Sequence, residues 1–492
     1  MCMRDVNEQA TTPLFSQMCA FTAREAARFF SPGHKGGRTL PKNLRENVAQ
    51  LDLNNLPEMD TLHCPTGCIA EAEGLLAKAY SVDASFMLVG GSSGGNVAAT
   101  VALVSPGERV IVQRNCHKST IAALIHCGAV PIWVLPDYDR DFGIAHALGV
   151  EAVENAFRHH RDIKAVICLG VTYFGSAPAI KALSDVCDRA AAKLIVDAAH
   201  GAHLQFHPEL PDAAERTNAA AVVQSIHKVL SGLSQAAVLH VSARHVEISR
   251  VRQALQMIQT TSPHYAILAS IDIARQQMAC EGHKLLTKTL ALARAARREL
   301  NAIPGVQVLG PDRCTPGSGL SQLDETKLTI SIRELNANGR QWQTQLSSSL
   351  GVDVELAGED YLLCIVTIGT IEEDVYRLVE GIRRLAKEST SAGAIRASAA
   401  KKALYAHAAM LVPETGLTPR EAFYAKAEMV DLDAAAGRIV ADTVTPYPPG
   451  IPLLTPGEII RQDTVDVLAS MRAERISVSA ADPALGTVRV VG

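Results

Sequence analysis

A serine, a histidine and a lysine close a run that is otherwise small and β-branched, Ala219-Ala220-Ala221-Val222-Val223-Gln224-Ser225-Ile226-His227-Lys228, and a turn follows at Ser231-Gly232. The first half suits a buried strand. A lysine at the end of such a strand is costly to desolvate unless it is paired, at the surface, or used covalently. Taken alone, Lys228 reads as a surface lysine at a strand end. Its upstream company reverses that.

Gly90-Gly91-Ser92-Ser93-Gly94-Gly95-Asn96 follows an apolar run and opens a helical one. Glycines let the backbone approach a ligand, and helix N-terminal amides with two hydroxyls make a phosphate cradle. The same letters satisfy Gly-x-Ser-x-Gly, the nucleophile elbow of serine hydrolases, with Ser92 or Ser93 as nucleophile. They also suit a plain strand-to-helix turn. His117 lies past another strand end, and Asp197 closes Lys193-Leu194-Ile195-Val196. A carboxylate there needs a cation or an N–H partner, or caps the next turn. His200, His203 and His207 follow, and a His-x-x-His pair can ligate zinc. Without His-Glu-x-x-His or a second ligand cluster, structural histidines are the simpler reading, and no metal is expected.

In chain order the set is a phosphate loop, then His117, then Asp197, then Lys228. Pyridoxal 5′-phosphate (PLP) calls for these types: a lysine for its aldehyde, a carboxylate for the pyridine nitrogen, a flat group on the ring and donors for the phosphate. Each signal is weak alone; together, in this order, they are specific.

The elements that must position these residues alternate. Strand-like runs fall at 85–90, 109–113, 131–135, 164–169, 193–197, 220–225 and 236–241, most of them separated by helical stretches such as 96–104 and 180–192. Short apolar strands alternating with helices imply an α/β fold with a mainly parallel seven-stranded sheet covered on both faces. Ligands then sit at the C-terminal strand ends, where the unusual residues are. The expected organisation is an N-terminal arm (1–50) with a helical pattern at 22–30, packing on a larger body that is its own or a partner's. A large domain (51–300) with a helix at 71–80 follows, then a smaller α+β domain (301–388). A Ser/Ala/Gly-rich linker (388–400) leads to a C-terminal α/β domain (401–492), with a helix at 419–427 and a Pro-rich stretch at 446–452.

At 492 residues, 48% hydrophobic and 20% charged, the chain reads as soluble and globular. A net charge of −4 without a long basic run argues against nucleic acid or an anionic membrane as main partner. No uninterrupted apolar stretch of about 18 residues is present to span a bilayer. Met1-Cys2-Met3-Arg4-Asp5 lacks the apolar core of a signal peptide. The 11 cysteines are scattered, and Cys64 and Cys68 lack CxxC spacing. Reduced thiols and a cytoplasmic location are expected.

Further motifs are Pro32-Gly33-His34-Lys35-Gly36-Gly37, His63-x-Pro65-Thr66-Gly67, Arg114-Asn115-Cys116-His117-Lys118-Ser119 and Ser225-x-His227-Lys228. To these add Thr260-Thr261-Ser262-Pro263-His264-Tyr265 and Pro446-Tyr447-Pro448-Pro449-Gly450-Ile451-Pro452, ending in Pro456-Gly457-Glu458. By these the chain resembles the Orn/Lys/Arg decarboxylase family, PLP enzymes of the aspartate-aminotransferase fold (fold type I). The likeness runs from Thr12-Pro13-Leu14-Phe15 nearly to the end. It is to the shorter members, without an N-terminal wing domain.

The resemblance implies that Lys228 holds the cofactor aldehyde, Asp197 pairs with the pyridine nitrogen and His117 stacks on the ring. It implies that Ser92, Ser93, Gly94, Ser225 and His227 serve the phosphate and that His200 lies at the cofactor. Thr260 would reach a neighbouring subunit's cofactor, so a homodimer or larger homo-oligomer with shared sites is expected. Glu355, which by pattern alone reads equally well as a surface strand residue, matches a position facing the substrate's distal cation. The implied reaction is decarboxylation of a basic amino acid, arginine ahead of lysine or ornithine, with Lys228 or His227 returning a proton to Cα. Two departures stand out: Asp197-Ala198-Ala199-His200 where the family commonly has Asp-Glu-Ala-His, and Cys64 where histidine is common. The alternatives are PLP-dependent transamination or oxidative deamination, a serine hydrolase using Ser92 or Ser93, and a catalytically idle subunit.

Overall fold

Seven strands build one sheet: β1 (Ala84–Leu88), β2 (Arg109–Gln113), β3 (Val130–Val134), β4 (Ile163–Leu169), β5 (Lys193–Asp197), β6 (Ala221–Gln224) and β7 (Ala237–Val241). In this computed structural model, which describes residues 11–335, 337–391, 412–447 and 450–492, their order is β1-β7-β6-β5-β4-β2-β3. From β6 to β3 neighbouring strands run parallel, whereas β7 is antiparallel to both β6 and β1. β6 and β7 are wholly buried, as apolar strands covered on both faces should be.

Helix α1 (Gly91–Leu103) enters from the β1 end and packs on the sheet. A Cβ on Gly95 would lie 2.6 Å from the side chains of Leu88 and Val223. Glycine therefore lets the first turn of α1 settle onto β1 and β6. Helix α2 (Lys118–Cys127) begins at His117, whose ring accepts a hydrogen bond from the Ser119 N–H.

Helix α3 (Tyr265–Asn301) joins two cores. Its first turns pack with Leu76, Val229 and Val238, and its last turns, Leu292 to Leu300, with Leu328, Leu362 and Ile382. The second core belongs to an antiparallel sheet of β8 (Gln307–Val308), β9 (Lys327–Ser331), β10 (Leu356–Ala357) and β11 (Tyr361–Ile365), in the order β8-β9-β11-β10. Helices Gly339–Ser349 and Glu372–Ser391 accompany it.

The arm departs from expectation. Residues 22–30 do not form a helix; the helix is Pro13–Thr22, and Ala27–Phe29 is a strand parallel to Val352–Val354. Ala27 and Phe29 are buried on either side of Arg28, the alternation of a half-buried strand. The expected helix at 419–427 ends at Tyr424, and Ala427–Asp431 pairs antiparallel with Thr487–Val491. Of the expected linker, residues 388–391 belong to helix Glu372–Ser391 and 392–400 lie outside the described residues, as do Pro448 and Pro449 of the Pro-rich stretch. The C-terminal segment docks through a buried ion pair, Arg114 to Glu458 at 3.2 Å. No described helix is long and apolar enough to cross a membrane.

Candidate active site

The C-terminal ends of β2, β5 and β6 converge with the N-terminus of α1 around a cavity of about 280 Å³. Ser92 and Ser93 line it from α1, His117 from beyond β2, and Asp197 and His200 from the end of β5. Ser225, His227 and Lys228 line it from the turn after β6. These residues are far apart in sequence; parallel topology brings them to one edge.

A chain of hydrogen bonds orients the Asp197 side. Asn96 Nδ2 donates to Asp197 Oδ2 at 2.7 Å and to Ser119 Oγ at 2.9 Å. Ser119 Oγ lies 2.8 Å from His117 Nδ1, which also accepts the Ser119 N–H at 3.2 Å. His117 Nδ1 is thus an acceptor, and its ring is held as the tautomer protonated at Nε2. Burial lowers the His117 pKa against the pull of Asp197, and the Lys228 charge lowers it further. The Ala199 N–H donates to Asp197 Oδ1 at 3.1 Å. Ala198, which follows Asp197, is 3% exposed.

On the other side, Lys228 Nζ lies 2.9 Å from His200 Nε2 and 5.1 Å from the centre of the Tyr173 ring. Burial lowers the Lys228 pKa, while Asp197 and Glu355 oppose the shift and Lys327 reinforces it. His200 falls well below the ordinary histidine value, through burial first and the Lys228 charge second. His227 Nδ1 bonds the Ala236 carbonyl at 3.0 Å, and burial brings its pKa down to about 4. Ser225 Oγ donates to Ser92 Oγ at 2.8 Å.

Three residues singled out in the sequence lie off the cavity wall. Gly94 sits within α1, facing Ile258. Thr260 is exposed and accepts the Ser262 N–H. Glu355 is half-buried at the bend before β10 and accepts the Ser31 N–H at 2.9 Å. Conversely, sequence reasoning passed over Asn96, Ser119 and Tyr173 as site residues. Asn96 and Ser119 carried one available signal: each is a polar side chain in the first turns of a buried helix.

The three histidines after β5 go to separate partners: His200 to Lys228, His203 to Asp324 and His207 to Thr287. Among the described residues, no group of three or more His, Cys, Asp or Glu is placed to hold a metal ion. Nor does a histidine hydrogen-bond to Ser92 or Ser93 among the described residues; the partner of the Ser92 hydroxyl is another serine. A hydrolase nucleophile lacks its base here.

Residues 12–374 match the family model of the Orn/Lys/Arg decarboxylase major domain, and 399–477 that of the Orn/Lys/Arg decarboxylase C-terminal domain. An arginine decarboxylase of Bacillus subtilis (strain 168) is 36% identical over 467 residues, 94% of this chain and 93% of the relative. An arginine decarboxylase of Bacillus anthracis is 34% identical, covering 98% of each chain. Among solved structures, lysine decarboxylase A from Pseudomonas aeruginosa superposes with a TM-score of 0.78 at 23% identity, covering 94% of this chain and 78% of that one.

Proposed function

The chain belongs to the Orn/Lys/Arg decarboxylase family, and we propose that it removes the α-carboxylate of arginine as CO₂, using PLP, to leave the corresponding amine. Arginine is placed ahead of lysine and ornithine because the relatives at 34–36% identity carry the name arginine decarboxylase. The observation that carries the reading is the placement of Lys228. Lys228 lines the same cavity as an oriented carboxylate, with an imidazole as hydrogen-bond partner of its amine.

The residues present fit PLP. Lys228 is enclosed and less basic than an ordinary lysine, so more of it is free amine able to bond an aldehyde. Asp197, fixed by Asn96 and the Ala199 N–H, would hold a pyridine nitrogen protonated. His117, its ring held by Ser119, would lie flat against the ring. Ser92, Ser93 and Ser225, with the α1 amides, would take the phosphate. When bound, the cofactor supplies a sink for the electron pair left on Cα as the carboxylate departs.

The chain's own residues do the rest. Apolar side chains such as Val171, Phe174 and Ile451 keep part of the cavity wall dry. A proton must return to Cα, and we assign it to Lys228 or His227, both of which line the cavity. Glu355 would meet the substrate's distal cation, and its charge reaches both Lys228 and Tyr173. Assaying purified enzyme for CO₂ and amine from arginine, lysine and ornithine tests the reading; keto acid in place of CO₂ would select transamination or oxidative deamination instead.

A further inference from the structure

Behind His200, away from the cavity, sits a charged cluster that the reaction above does not use. Asp324 and Lys327 are both 0% exposed, their side chains 2.9 Å apart. Asp324 Oδ2 also lies 3.1 Å from His203 Nε2, and Thr326 Oγ1 donates to Asp324 Oδ1 at 2.7 Å. Burying such a pair carries a large desolvation penalty for each ion before attraction offsets it. Apolar residues would fill the same space without that cost, so the charges call for a reason.

Two connections to the site supply one. His203 ends the loop that leaves β5 at Asp197 and carries His200. The loop is closed by Gly201 N–H to the Ala198 carbonyl at 2.7 Å and anchored by Tyr80 Oη to the Ala202 carbonyl at 2.8 Å. Asp324 thus grips the loop that sets His200 against Lys228. The second connection is the turn bearing Tyr173. The Asp324 N–H bonds the Gly175 carbonyl at 2.8 Å, and Gly175 has φ +90 with no room for a Cβ, which would fall 2.8 Å from the Asp324 carbonyl. That turn lays Tyr173 against His200, ring centres 4.3 Å apart.

We propose that Asp324 is a positioning residue for Lys228: it clamps the His200 loop and the Tyr173 turn, and it balances the buried Lys327 charge that stands behind them. The charged and titratable groups facing Lys228 are Asp197, Glu355, Lys327, His200, His117, His227 and Tyr173. Of these only Lys327 is a fully buried lysine, and it repels a proton on Lys228. The inference rests on Lys228 being the cofactor lysine.

A buried ion left without its partner sheds its charge, so the two variants are told apart by the clamp rather than by net charge. In Lys327→Met, Asp324 keeps its contact to His203 and the loop stays set. In Asp324→Ala that contact is lost, His200 leaves its place beside Lys228, and a better solvated Lys228 holds its proton longer. Competitive acetylation of the cofactor-free full-length protein, read by peptide mass spectrometry against exposed Lys78, measures this directly. Lys228 should label about fivefold slower at pH 7 in Asp324→Ala and within about twofold of the parent protein in Lys327→Met. General damage from breaking a buried pair would slow both. Slowing in both variants, or unchanged labelling in Asp324→Ala, would overturn the proposal; if Asp324→Ala does not fold, Asp324→Asn is read the same way. Failure to find cofactor on Lys228 would instead overturn the reading of the site.

Discussion

The Nζ of Lys228 lies 2.9 Å from Nε2 of His200, so the amine at the cavity wall is partnered by a group that is itself a weak base. An imidazole in that place does not hold a proton on the lysine as a touching carboxylate would. Asp197 and Glu355 act on it only from a distance.

One consequence concerns pH. The folded-state pKa of Lys228 is lowered, chiefly by burial. Its free-amine form therefore appears at lower pH than the ordinary lysine value of about 10.4. Capture of PLP by cofactor-free protein should rise through that lowered pKa and then level off. Stopped-flow absorbance against pH would show it; a rate still climbing in step with free lysine near pH ~10 would contradict it.

Asn96 is the second test, because one amide serves both Asp197 and Ser119. Asn96→Ala leaves a buried carboxylate and a buried hydroxyl each short of a donor. The expected loss is about 1–3 kcal/mol of stability, together with faster release of bound PLP. Urea denaturation and the decay of visible absorbance on dialysis measure the two. Unchanged retention would mean that Asn96 does not orient Asp197.

Glu355 addresses substrate choice. Removing one partner of a desolvated charge pair costs on the order of 2–5 kcal/mol. Glu355→Gln should keep the PLP spectrum while kcat/KM for arginine falls by about 30-fold or more. Near-normal values for arginine, lysine and ornithine alike would remove the proposed contact.

Thr260 bears on assembly. Within its own chain it is exposed and absent from the cavity wall. The helix Pro13–Thr22 buries none of its residues and leaves Leu14, Phe15 and Met18 exposed. If sites are shared, mixing Lys228→Ala with Thr260→Ala chains should yield some heterodimers with one intact site and regain activity. No recovery despite demonstrated heterodimers would assign each site to a single chain.

What the sequence disclosed, and what it hid, follows from locality. β2 and β5 match the expected strands residue for residue, because apolar runs bounded by polar strand ends are local signals. The strand Ala27–Phe29 was masked because only its pairing with Val352–Val354, far along the chain, decides its conformation. Asn96 was legible as part of a glycine turn but not as the link between Asp197 and Ser119, since that link needs three separate elements to meet. The Asp324–Lys327 pair gave no motif at all. Only packing shows both charges wholly buried.

The most direct measurement is covalent. Incubating the purified enzyme with PLP, reducing it with borohydride and mapping the peptides should place pyridoxyl on Lys228, with visible absorbance near 420 nm, roughly, lost on reduction. Label on another lysine, or no label and no visible band, would contradict the account.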